Sequence, residues 1–119
     1  MADERFQLKR AYEPAGEDDG CRILVDGIWP RGVSKEDLAA DLWLKDLAPS
    51  KDLRQWFAHD PDKWDEFQRR YFDELDEQDE ALAELRDRLA EGPVTLLFGA
   101  KDEQHNQAVA LERYLRQER

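Results

Sequence analysis

The sequence predicts a small α/β domain: a sheet of three or four mostly parallel strands packed with helices as a Rossmann-like sandwich. Three observations predict it. Ile23-Leu24-Val25 and Val94-Thr95-Leu96-Leu97-Phe98 are runs with almost no polar alternation, the pattern of strands buried on both faces. About 65 residues with helical spacing separate them, so the two strands are joined by a crossover and run parallel. Each run ends in a turn rich in Gly, Pro and charge, Asp26-Gly27-Ile28-Trp29-Pro30-Arg31-Gly32 and Gly99-Ala100-Lys101-Asp102, as the carboxyl ends of such strands do.

The remaining elements follow in order. Phe6 to Tyr12 alternates with Phe6, Leu8 and Tyr12 on one face and reads as the first strand. Glu13 to Gly20 is a loop, with turn residues Pro14, Gly16, Asp18, Asp19 and Gly20. Arg22 to Ile28 is the second strand. Ser34 followed by Asp37 resembles a capping box and opens a short helix. Asp41-Leu42-Trp43-Leu44 is an extended segment or a short edge strand. Pro49-Ser50 starts a helix carrying Leu53, Trp56 and Phe57. Asp60-Pro61 places a cap before a proline at the first helical position. Trp64, Phe67, Tyr71, Phe72 and Leu75 then make one apolar stripe. Leu82, Leu85 and Leu89 mark a further helix, which Gly92 is expected to end in a left-handed cap before Pro93. A last helix is expected from about Glu103 to Arg116.

The chain has 119 residues, the size of one domain, and a net charge of −11. Residues 73–91 hold nine acids against Arg86 and Arg88, which accounts for −7 of the −11. This reads as a solvated helical face. A field of this sign argues against nucleic acid and anionic membranes as partners, leaving Lys9, Arg10, Arg54, Arg69 and Arg70 as the weak third case for nucleic-acid contact. One cysteine, Cys21, allows no internal disulfide. No apolar run approaches the roughly 20 residues that span a bilayer, and Met1 to Arg5 lacks a signal pattern. The expectation is a cytoplasmic, acidic protein. The spacing of His59 and His105 matches no metal-ligand pattern, and no phosphate loop of the dinucleotide or nucleotide type occurs. No metal or cofactor is implied.

If the two buried strands are parallel, their loops share one end of the sheet. Asp26 and Arg31 then converge with Lys101, Asp102, His105 and Asn106. Arginine offers a planar fork for carboxylate or phosphate, and Lys101 adds a point charge. A small anion is the expected ligand, with Arg31, Lys101, Asp102 and Asn106 around it and Trp29 as an aromatic wall. Arg10 delivers a third cation if it leaves the solvated strand edge. Asp26 and His105 are the acid/base candidates, His105 because imidazole titrates near neutrality. The same residues have plain structural readings: Asp26 pairs with Arg31, His105 bonds Asp102, His59 packs on an aromatic, and Cys21 fills the strand entrance.

The motifs that carry these positions are Lys9-Arg10-Ala11-Tyr12, Asp19-Gly20-Cys21-Arg22-Ile23-Leu24-Val25-Asp26, Trp29-Pro30-Arg31-Gly32 and Trp43-Leu44-Lys45-Asp46-Leu47-Ala48-Pro49-Ser50. Further on stand Leu53 to Pro61, Trp64, Phe67, Arg70-Tyr71 and Leu75, then Thr95-Leu96-Leu97, Ala100-Lys101-Asp102 and His105-Asn106-Gln107-Ala108. Across nearly the whole chain they resemble the domain of unknown function 488 family, in its YeaO-like branch. The resemblance implies a compact α/β domain of bacterial or archaeal cytoplasm and no particular reaction. The family pattern has an arginine after the strand-end aspartate where this chain has Gly27, so the resemblance implies one cation fewer at the site. Two functions stay open: a small-anion-binding α/β protein, as an enzyme or not, and a non-catalytic interaction or regulatory module built on Trp29 and the acidic helix.

Overall fold

A computed structural model describes residues 6–117 of the chain; the N-terminal stretch read for a targeting pattern lies outside them. Four strands form one sheet in the order β1 (Phe6–Arg10), β4 (Val94–Phe98), β2 (Cys21–Leu24), β3 (Leu42–Trp43), and every neighbouring pair is parallel. The helices are α1 (Lys35–Leu38), α2 (Lys51–Phe57), α3 (Trp64–Leu75), α4 (Asp79–Glu91) and α5 (Gln107–Arg116). Among them none is long and apolar enough to cross a membrane.

The central strands are β4 and β2, and their apolar runs divide by period two between the faces of the sheet. Ile23, Val25, Val94, Leu96 and Phe98 face the main core with α2 to α5, whereas Leu24 and Leu97 face a smaller core with Leu38 of α1. The sandwich therefore has three layers, one of them thin. The main core is an aromatic ladder: Phe57 stacks on Phe67 at 4.3 Å, Phe67 on Trp64 at 5.6 Å and on Tyr71 at 5.7 Å. Each such ring buries about 150–250 Å², so these four supply much of the apolar burial of a chain this short.

Helix starts follow the caps. Ser34 Oγ accepts from Asp37 N, and Asp60 from Asp62 N in the 3-10 turn Pro61–Lys63 that leads into α3. Ser50 Oγ accepts from Leu53 N at 3.2 Å and donates to Glu74 at 2.6 Å, tying α2 to α3. Ser50→Ala is expected to lower stability by about 1 kcal/mol, the usual value of an N-cap, measured by urea denaturation.

Two helix ends differ from the sequence reading. Gly92 stops α4 in an extended conformation, φ 163° and ψ −166°, and is no left-handed cap; Pro93 and the immediate entry into β4 set that direction. The last helix begins at Gln107, four residues later than expected. Asp102 accepts from the backbone N–H groups of Gln104 and His105, which closes a turn, and Asn106 then caps α5 by accepting from Val109 N. Asp102 and Asn106 thus take up the donors that an earlier helical turn would have used.

One connection lacks a helix. β1 and β2 are parallel, yet only residues 11–20 join them, and parallel crossovers usually need a dozen residues or more. Asp19 holds this short crossover. Its carboxylate accepts from Gly16 N, Lys9 Nζ and Arg22 Nη1, and its carbonyl accepts from Thr95 Oγ1. One residue so links β1, β4 and β2. Gly20 follows with φ +64°, and a Cβ there would lie 2.3 Å from Pro93 O; only glycine fits both conditions.

Candidate functional site

Because all four strands run parallel, the loops after β2 and β4 leave the sheet at the same end. They meet at Asp26. Its Oδ2 accepts from Gly99 N at 2.7 Å, and its Oδ1 accepts from the side chain of Gln107 at the start of α5. Asp26 O also accepts from Trp43 Nε1 at 2.7 Å. The carboxylate therefore stitches the β2 loop to the β4 loop and to α5. Burial pushes its pKa up to about 6, against the Gly99 N–H and the Arg54 guanidinium, which both favour the charged form.

Above Asp26 opens a cleft of about 720 Å³, within the range of small-ligand sites. Its floor is Asp26, Gly99 and Gln107; the β2 loop supplies Trp29 and Arg31; α2 supplies Arg54, and His59 follows. Arg31 and Arg54 are exposed, and neither forms an ion pair or side-chain hydrogen bond with a described residue. Trp29 is fixed as wall: its Nε1 donates to Val33 O at 2.6 Å, and its ring meets Trp43 edge-on at 5.5 Å. Ile28, 68% exposed, and Tyr12, 48% exposed, stand at the rim.

The structure brings Asp26, Trp29 and Arg31 together here. It places Lys101, Asp102, His105 and Asn106 at the same end of the sheet but outside the walls of this cleft. His105 Nδ1 lies 2.9 Å from Asp102 Oδ2, and its ring stands edge-on to Trp64 at 5.3 Å. Asn106 donates to Asp102 O while capping α5. The Gln104 N–H and the His105 side chain hold the Asp102 carboxyl below its usual range. Arg10 reaches the strand ends, yet donates to Ala100 O at 2.9 Å and Gly99 O at 3.4 Å, beneath the loop rather than into the opening. Lys9 is engaged by Asp19, and Arg69 and Arg70 by Glu66. His59 packs near Phe57 at 6.3 Å and takes φ 58°.

Two contributors are absent from the sequence reading of this site, Arg54 and Gln107. Gln107 carried a usable signal, since it stands at the start of the helix that follows the β4 loop. Arg54 carried none: on its own helix it is one more polar-face arginine. Among the described residues no group of three or more His, Cys, Asp or Glu is placed to hold a metal ion.

A family model described as the inactive DUF488-N3 subclade matches residues 5–119. The chain belongs to the DUF488 family. Similar proteins include the uncharacterized protein YeaO of Escherichia coli K12, 42% identical over 111 residues that cover 93% of this chain and 96% of that one. The uncharacterized protein Rv3073c of Mycobacterium tuberculosis is 42% identical over 115 residues, 97% of each chain. No solved structure matches significantly. In this DUF488 protein Gly27 stands open beside Arg54, with Arg54 Nη2 3.7 Å from where a Cβ would be.

Proposed function

We propose that this DUF488 protein binds a small anionic ligand in the strand-end cleft and does not turn it over. The observation that carries the reading is the pair Arg31 and Arg54, brought from the β2 loop and from α2 to one cleft, where neither forms a salt bridge or side-chain hydrogen bond with a described residue and only Arg54 feels the field of Asp26. Guanidinium forks in such a position match carboxylate and phosphate oxygens. Trp29 supplies the flat wall. Asp26 supports binding without turnover, because both of its oxygens already hold the fold together. His105 is turned to Asp102 and Trp64. The description of the subclade as inactive points the same way.

The test is calorimetric titration with inorganic phosphate, sulfate and short dicarboxylates. At least one is expected to bind, and Arg54→Ala or Arg31→Ala is expected to weaken it about ten- to a hundred-fold, the value of one charge-assisted hydrogen bond. Lys101→Ala, outside the cleft, is expected to change affinity less than two-fold. Equal losses at Lys101 and Arg54, or no binding by any anion, would overturn the reading.

A further inference from the structure

A second cavity of about 440 Å³ lies beside the first, and the two share Gly27, Pro49 and Arg54 in their walls. The second is formed where the turn after β3 meets the end of α3. Its charges are Lys45, Arg54, Asp46, Glu74 and Glu77, a local balance of −1, opposite in sign to the first cleft. Glu74 is occupied by Ser50 N at 2.8 Å and Ser50 Oγ at 2.6 Å. Asp46 and Glu77 are exposed on its wall and make no side-chain hydrogen bond or ion pair with a described residue.

Gly27 stands between the two. A Cβ there would lie 3.6 Å from Ala48 Cβ and 3.7 Å from Arg54 Nη2, ordinary van der Waals contact, and its backbone is outside the left-handed region. Neither backbone strain nor close approach requires glycine. Its missing side chain leaves only backbone at this point of the wall that the cationic cleft and the anionic one share.

We propose that the ligand is a small phosphate ester that threads past Gly27, its phosphate between Arg31 and Arg54 and its organic part, rich in hydrogen-bond donors, on Asp46 and Glu77. This rests on the anion-site reading above. Two guanidinium forks from separate elements suit the several peripheral oxygens of a phosphate, whereas one fork saturates a carboxylate. Carboxylates on the wall of the second cavity can accept from the donor groups of a ligand, such as hydroxyl or ammonium.

The experiment compares inorganic phosphate, glucose 6-phosphate and O-phosphoethanolamine by calorimetry. At least one ester is expected to bind ten-fold or more tighter than phosphate, and which one distinguishes a polyol from an amine. Gly27→Val, its folding checked by its urea midpoint, is expected to abolish the advantage of the ester over phosphate, both affinities being measured on that variant. Asp46→Asn combined with Glu77→Gln tests the same advantage without touching Gly27 and is expected to reduce it at least five-fold. Phosphate binding with no tighter ester overturns this inference alone, as does an ester advantage that survives both variants. Failure of phosphate and both esters overturns the anion site itself.

Discussion

Asp19→Ala is expected to destabilise the protein by about 3–5 kcal/mol, the cost of leaving a buried charge unpaired. Arg22 is 3% exposed, as is Asp19. The remaining guanidinium bonds of Arg22 go to Leu38 O, which does not neutralise it. Removing the carboxylate also frees Gly16 N and Lys9 from the crossover that has no helix to support it. Urea denaturation at pH 7 measures the loss, and a loss below about 1 kcal/mol would show that the triad behaves as a surface pair. Asp19→Leu with Arg22→Met is expected to recover part of it, because removing both partners leaves no orphan charge. The pH dependence has a definite sign. Burial alone would raise the Asp19 pKa, but Gly16 N–H, Lys9 and Arg22 outweigh it and hold the carboxyl below its ordinary value. Its contribution is therefore present above the unfolded pKa and is lost as pH falls through the lower folded one.

That triad shows which links are legible in a sequence. Asp19, Lys9 and Arg22 all stand out by residue type, Asp19 as a turn former and the two cations as charges inside strands. Their convergence depends on β4 lying between β1 and β2, and sheet order is set by residues some 75 positions away. The buried strands, the parallel crossover and the caps at Ser34 and Asp60 are local or composition-driven, and they read directly. The loop at Lys101 to Asn106 reads correctly as the neighbour of Asp26 to Gly32, because parallel topology alone puts both at one end. What its side chains do does not follow from topology. Short polar side chains bond the nearest backbone donors first, and Asp102 and Asn106 did so. Arg54 reached the cleft by the opposite route. Its helix is packed over the strand ends by Leu53 and Phe57, and the arginine beside them is carried along.

Asp26→Asn is expected to stabilise the protein at pH 7.5 by about 1–3 kcal/mol, an unusual sign for a change at the centre of a site. The carboxyl titrates near 6 in the folded protein and near 3.9 in an unfolded chain. A folded pKa above the unfolded one means that the native state binds the extra proton between about pH 4 and 6. Stability then falls as pH rises through that window, and above it the ionised carboxylate costs about 3 kcal/mol at 1.36 kcal/mol per pKa unit. Asparagine removes that cost and keeps the geometry: its carbonyl accepts from Gly99 N, and Gln107 can rotate its amide to accept from the new NH₂. Near pH 4 the wild-type group is already largely neutral, so the gain should vanish there. Denaturation of both proteins from pH 4 to 8 tests this. The difference curve isolates Asp26 from the other acids, which titrate in both. A loss of stability at every pH would mean that the ionised form is required by the loops it joins. The same change removes a negative charge from the floor beneath Arg31 and Arg54, so phosphate affinity at pH 7.5 should rise while the fold becomes more stable. A carboxylate that opposes stability and stands at the junction of two loops is expected to make the cleft weaker towards an anion of fixed charge, such as sulfate, as pH rises through 6.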